Sequence, residues 1–157
     1  MRPIIKQHIV LLFGILISTG ICLAQETVPT QDNLTREGVI IDGYDVVSYF
    51  LGSPSKGKTV YSETVEGVTY WFATEENQQI FKKNPGKFIP AYGGWCAYAM
   101  GESGKKVKID PETYKIIDGK LYLFYNFYFN NTLISWNEDE VNLRLKADEN
   151  WQKINKR

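Results

Sequence analysis

Two segments of the chain are rich in apolar, strand-forming residues on either side of a two-residue turn. The first covers 59–74 with Glu66-Gly67 at its centre, and the second covers 114–125 with Asp118-Gly119 at its centre. β-Branched and aromatic residues favour strands, and an acidic residue followed by glycine favours the tight turn of a hairpin. The pattern therefore predicts two β-hairpins.

Helical spacing appears between and after the hairpins. Thr74 can cap a helix that ends before Asn84-Pro85, whereas 86–92 is predicted to be a loop. A second, short helix is expected over 95–100 after a glycine turn. A last helix, with Asn137 as the predicted cap, carries a stripe of apolar residues at helical intervals: Leu143, Ala147, Trp151 and Ile154. Together these elements predict a small single α+β domain, with two β-hairpins packed against short helices and a C-terminal helix.

The first two dozen residues have the features of a secretory signal peptide. Arg2 and Lys6 precede the apolar run Ile9–Ile17, and the small, polar stretch Ser18-Thr19-Gly20 follows it before Cys22-Leu23-Ala24. A membrane-spanning helix needs about 20 apolar residues, so this nine-residue run is too short. We expect cleavage after Ala24, no stable membrane insertion afterwards, and a periplasmic or secreted protein.

The expected organisation is therefore a signal peptide at 1–24, a flexible polar leader at 25–37 and one folded domain at 38–157. Cleavage would remove His8, the only histidine, and Cys22, one of two cysteines. A chain without histidine has no His general base, Ser-His-Asp triad or Cys/His zinc site. With 18 basic and 18 acidic residues before cleavage, the charge gives no reason to expect nucleic acid as a partner.

Several separated motifs resemble a secreted bacterial branch of the YHS-domain family, and they occur in that family's order. The residues that carry the likeness are Gly43-Tyr44-Asp45-Val46-Val47-Ser48-Tyr49-Phe50, Gly67-Val68-Thr69-Tyr70-Trp71-Phe72-Ala73-Thr74-Glu75-Glu76-Asn77, Phe81, Asn84-Pro85, Phe88, Pro90, Tyr92-Gly93-Gly94-Trp95-Cys96-Ala97, Asp110-Pro111, Ile117-Asp118-Gly119-Lys120-Leu121-Tyr122-Leu123 and Ala147-Asp148-x-x-Trp151. The likeness covers the chain from about 43 to 151.

This resemblance implies redox or soft-metal chemistry, because some members of the branch carry a selenocysteine in place of a cysteine. Shorter YHS domains on copper pumps have additional cysteines near the first hairpin. Here the matching segment is Phe72-Ala73-Thr74. The metal ligands of those relatives are therefore absent from this segment.

The segment from Gly93 to Met100 is the first candidate site. Cys96 follows Gly93-Gly94 and Trp95 at a predicted helix start, where unpaired N–H groups and the helix dipole favour an anionic sulfur. Met100 lies four residues further, on the same helix face. A thiolate and a thioether suit copper(I), although two sulfurs alone would need a further ligand. Free cysteine is also one of the most buried residue types, so a structural role for Cys96 stays open.

The second candidate is Tyr44-Asp45, in which a carboxylate lies among apolar residues. A buried Asp45 must find hydrogen-bond donors, either as a ligand-binding or proton-transferring group or as a cap that holds a turn. A third segment, 122–129, is Tyr or Phe at six of its eight positions and favours a core strand or, as an alternative, an apolar or sugar-stacking surface.

These observations leave three functions open. The first is a binding module for a small molecule or a soft metal of the copper type, with Tyr44, Asp45, Gly93, Gly94 and Trp95 as ligand-binding residues and Cys96 nearby. The second is a redox protein that uses the Cys96 thiol as its catalytic group. The third is a structural or interaction domain without chemistry. The oligomeric state does not follow from the sequence.

Overall fold

A computed structural model describes residues 30–155, so the predicted signal peptide and the first part of the leader lie outside the described residues. Within that range the chain forms a small α+β domain of five α-helices, three two-stranded antiparallel sheets and three 3₁₀ turns. The predicted fold class is confirmed. The part of the chain that the structure describes contains no helix with the length and apolar character needed to cross a bilayer.

Both predicted hairpins are present. The first pairs β1 (Lys58–Val65) with β2 (Val68–Phe72), and the second pairs β3 (Asp110–Ile117) with β4 (Lys120–Phe124). The acidic residue and the glycine of each turn have positive φ angles, at 50° and 80° in the first and 51° and 73° in the second. Glycine reaches this region without strain, and the twist of such turns matches that of the strands.

The remaining regular elements occupy the intervening segments and the C-terminal third. They are the helices α1 (Glu75–Lys83), α2 (Pro85–Phe88), α3 (Ala97–Ser103), α4 (Thr132–Glu138) and α5 (Glu140–Ile154), the short hairpin of β5 (Asn126–Phe127) and β6 (Asn130–Asn131), and 3₁₀ turns at Ile41–Gly43, Ser48–Leu51 and Ala91–Gly94. The Thr74 hydroxyl accepts a hydrogen bond from the Asn77 N–H, so the predicted cap of α1 is confirmed.

Three local predictions were wrong. The stretch 86–92 contains a short helix and a 3₁₀ turn rather than a loop alone, because Pro85 suits a first helical position. The helix predicted over 95–100 is α3, which begins at Ala97 and ends at Ser103. Gly104 follows as its C-cap in the left-handed conformation. Asn137 does not cap the last helix, α5, which follows Asp139; it lies inside α4, whose cap is Asn131.

Strand β4 separates the core into two clusters. Leu121 and Leu123 pack into one cluster with Phe72, Phe81 and other residues of the first hairpin and α1. Tyr122 and Phe124 pack into a second cluster with Trp136 and residues of α3 and α5. Successive side chains of a strand point to opposite faces, so this strand, buried from Leu121 to Phe124, supplies both clusters.

Candidate functional site

Three successive residues before α3 have a left-handed backbone conformation. Tyr92, Gly93 and Gly94 have φ angles of 53°, 60° and 78° in the 3₁₀ turn before α3. A side chain at Gly93 would overlap both Asp32 and Trp151. The predicted glycine turn therefore serves a close approach between the N-terminal segment and α5.

The N-terminal segment is bound to this turn. The N–H of Asn33 donates to the Gly93 carbonyl at 2.8 Å, and its side-chain amide donates to the Gly94 carbonyl at 3.1 Å. The indole N–H of Trp95 donates to the Gln31 carbonyl at 2.7 Å. The described part of the predicted flexible leader thus lies against the domain, with Gly93, Gly94 and Trp95 as its docking residues.

A cleft of about 240 Å³ opens beside Gly93. It lies between the turn of the first hairpin, the segment after α1, the glycine turn and the end of α5. Its side chains comprise several aromatic rings and a small set of polar groups, namely Asp32, Val65, Glu66, Val68, Tyr70, Ile89, Pro90, Tyr92, Lys120, Trp151 and Asn155. Polar and apolar surface contribute in similar measure to these walls. A concave site of this kind suits a small molecule that has both a flat apolar face and polar groups.

One polar atom of the cleft residues is unsatisfied. Among the described residues, the side-chain oxygen Oδ1 of Asn155 is buried and has no hydrogen-bond partner. The backbone N–H of Asn155 donates to the Trp151 carbonyl at 2.7 Å and so holds the residue at the end of α5. More than nine in ten buried polar groups in proteins are paired, so this acceptor requires an explanation.

The Tyr92 side chain lines the cleft and is held in place by Trp151 and Asp148. Its ring stands edge-on to Trp151 with centroids 6.5 Å apart, and its hydroxyl donates to the Asp148 carboxylate at 3.0 Å. Burial, and then the negative charge of Asp148, raise the pKa of Tyr92 well above its ordinary value. The hydroxyl therefore stays protonated and engaged with Asp148.

The Cys96 thiol lies in the core rather than on a surface. Its side chain is fully buried, its Sγ is 3.4 Å from the Thr132 hydroxyl, and the Tyr125 N–H donates to it at 3.4 Å. Cys96 precedes the seven-residue helix α3. It is absent from the lining of the cleft.

The Met100 side chain is also fully buried but packs in the second cluster, whereas Cys96 packs in the first. The predicted copper(I) pair is therefore divided between the two parts of the core. In residues 30–155, no group of three or more His, Cys, Asp or Glu side chains is placed to hold a metal ion.

The Asp45 carboxylate is fully buried and accepts hydrogen bonds on both oxygens. Oδ1 receives the N–H groups of Val47 and Ser48 at 2.8 and 3.4 Å, and Oδ2 receives the Ala73 N–H and the Asn77 amide at 2.9 and 2.6 Å. Asp45 thus ties the 3₁₀ turn at Ser48–Leu51 to the segment between β2 and α1.

Tyr44 lies at the surface beside this network. Its hydroxyl donates to Glu112 at 3.0 Å, and the Lys56 ammonium lies 4.4 Å from its ring centroid. Burial, and then the hydrogen bond to Glu112, raise its pKa. Neither Tyr44 nor Asp45 lines the cleft.

Of the cleft residues, the sequence predicts Gly93 as a site residue but not the polar and aromatic groups opposite it: Asp32, Glu66, Lys120, Trp151 and Asn155. Sequence pattern places Asp32 in the leader and Trp151 in a core stripe. Only the glycine pair indicated a close approach, and it did not show which distant residues approach it.

Comparison with known proteins identifies no relative: no protein-family model, no curated protein and no solved structure matches this chain.

Proposed function

We propose that this chain is an exported binding domain, similar to the secreted YHS-family branch, that holds a small organic molecule in the cleft beside Gly93. The observation that carries the proposal is the buried Oδ1 of the cleft residue Asn155, which has no partner in the part of the chain that the structure describes. A buried acceptor without a partner costs about 1–3 kcal/mol. Because this oxygen has almost no accessible surface, a ligand N–H or O–H group would reach it once the Asn155 side chain turns towards the cleft, and would then supply the missing donor.

The lining and the volume of the cleft indicate which class of ligand it could hold. Tyr70, Tyr92 and Trp151 provide aromatic surface, while Asp32, Glu66 and Lys120 provide charge at the same cleft. The volume of about 240 Å³ lies below the usual range of roughly 300–1,000 Å³ for drug-sized ligands. We therefore expect a small amine, amide or alcohol with one flat apolar face.

The alternatives receive less support from the geometry. The redox alternative needs an accessible thiol, and the side chain of Cys96 is fully buried. The copper alternative needs both sulfurs at one site, and Cys96 and Met100 pack in different clusters. The small-molecule proposal needs only a cleft with an unsatisfied polar group.

The experiment compares Asn155→Leu with the wild type. Leucine has a similar volume and removes the unpaired oxygen, so the variant should be at least as stable as the wild type. Native mass spectrometry of protein purified from the exported fraction should detect a small-molecule adduct on the wild type only. Saturation-transfer NMR with benzamide, which has an aromatic face and amide N–H groups, should show contact with the wild type and little with the variant.

The matched control is Asn142→Leu on the same helix. Asn142 is exposed and bonds to Asp139, so its replacement should leave adduct and benzamide contact unchanged. Equal benzamide contact in all three proteins, or neither adduct nor benzamide contact in the wild type, would contradict the proposal.

A further inference from the structure

The most exposed aromatic side chains of the described chain lie together at one turn. Tyr128 and Phe129 connect β5 to β6, and their side chains are 91% and 110% exposed relative to a reference peptide. Their φ angles are 53° and 62°. Bulky residues rarely adopt positive φ, and a two-residue turn of this kind favours Asn-Gly. The chain thus places two large aromatics where local backbone preference opposes them.

This turn, here called the aromatic tip (Phe127–Phe129), is held firmly at its base. Phe127 pairs with Asn130, and its ring stands edge-on to that of Tyr125 with centroids 5.1 Å apart. The Asn126 amide donates to the Thr113 hydroxyl at 2.9 Å. The Thr132 N–H donates to the Tyr125 carbonyl at 3.0 Å. The two exposed rings therefore project from an ordered base.

The aromatic tip and the two strands that carry it have no charged residue. No charged residue occurs between Lys120 and Glu138 in the sequence. Within the tip, Phe127 adds further exposed apolar surface, at 43%. The tip is convex, and none of its residues lines the cleft beside Gly93. A convex, neutral and aromatic surface suits insertion into a soft apolar phase that carries no net charge.

We propose that the aromatic tip inserts into the interfacial region of a neutral lipid bilayer. Aromatic side chains favour this region because their rings are apolar and, for tyrosine, the hydroxyl remains hydrated. Two aromatic side chains bury roughly 150–250 Å² each. That area is well below the roughly 800 Å² per partner of a stable protein interface, so the tip alone does not suit a dimer. This inference does not depend on the cleft.

The test measures binding of the exported protein to phosphatidylcholine vesicles by co-sedimentation. The double substitution Tyr128→Asn with Phe129→Gly introduces the residues that the turn prefers, so folding should be preserved while both rings are removed. We expect at least about a tenfold loss of the partition coefficient, because burying one Phe-sized side chain changes a partition constant by roughly that factor or more. Binding of the wild type should change little between low and high salt, because the tip carries no charge.

The matched control is Leu51→Ser with Val60→Ser, which removes two other exposed apolar side chains, at 67% and 74%, from different elements. This control should bind vesicles as the wild type does. Absence of wild-type binding, or equal binding by the tip variant, would overturn the proposal. Tip-dependent retention on an insoluble polysaccharide or tip-dependent dimerisation, without vesicle binding, would also overturn it and assign the surface to a glycan or a second copy.

Discussion

Replacing Asp45 with asparagine removes a buried charge from a network that four donors complete. The carboxylate receives two N–H groups from the turn that follows it, those of Val47 and Ser48. It receives the Ala73 N–H and the Asn77 amide on its other oxygen. An asparagine at this position keeps one acceptor oxygen and turns an NH₂ group towards two donors. One side of the network must therefore lose its hydrogen bonds.

The loss of stability can be estimated from the number of hydrogen bonds that asparagine cannot form. A hydrogen bond to a charged group contributes about 1.5–3 kcal/mol, so two lost bonds cost about 3–6 kcal/mol. Asn77 can turn its own amide to offer its oxygen to the new NH₂ group, which would recover one bond. We therefore expect Asp45→Asn to lower the free energy of unfolding by about 2–4 kcal/mol. Small domains have about 5–15 kcal/mol in total.

Urea denaturation followed by circular dichroism measures this change. With a slope of about 1–3 kcal/mol per molar urea, the midpoint should fall by roughly 1–2 M. The matched control is Asp139→Asn, an exposed cap of α5 at which asparagine serves equally well. A loss below about 1 kcal/mol for Asp45→Asn, or one equal to the control, would refute the assigned network.

Two further predictions concern other buried groups. The Cys96 thiol should resist an aromatic disulfide reagent in native protein and react fully in denaturant, because its side chain is fully buried; rapid native labelling would favour the redox alternative instead. Burial raises the pKa of Tyr49 well above its ordinary value of about 10. The unfolded chain therefore binds fewer protons above pH 10, and stability should fall as pH rises past that value, by up to about 1.4 kcal/mol per pH unit from this group. Tyr49→Phe should make the fall in the free energy of unfolding shallower between pH 8 and pH 11, as measured by urea midpoints. The same dependence on pH in the variant and the wild type would contradict the role of Tyr49.

Elements with a local physical cause were predictable from the sequence. Glu66-Gly67 and Asp118-Gly119 give positive φ angles at two successive positions, and the apolar pattern on each side sets the hairpins. The Thr74 hydroxyl reaches an N–H three residues away, so the start of α1 is also a local property. The requirement that Asp45 find donors was apparent from its apolar neighbours alone.

Elements that depend on a distant partner were not predictable in the same way. The polar composition of 30–37 indicates a flexible leader, yet the main-chain N–H and the side-chain amide of Asn33 donate to the Gly93 and Gly94 carbonyls about 60 positions away. The aromatic run 122–129 showed no single face, because β4 sends Tyr122 and Phe124 to one cluster and Leu121 and Leu123 to the other. Each placement depends on packing that only the complete fold provides.

The residues of the candidate site show most clearly the difference between local causes and causes that depend on tertiary packing. The sequence by itself determined that a glycine turn would precede a short helix near Cys96, because backbone conformation and helix propensity are properties of neighbouring residues. The tertiary structure alone decided that Cys96 and Met100 would enter different clusters and that Asn155 would keep a buried oxygen without a donor from residues 30–155. Burial and hydrogen-bond satisfaction depend on segments far apart in the chain, and they become defined only when those segments pack together.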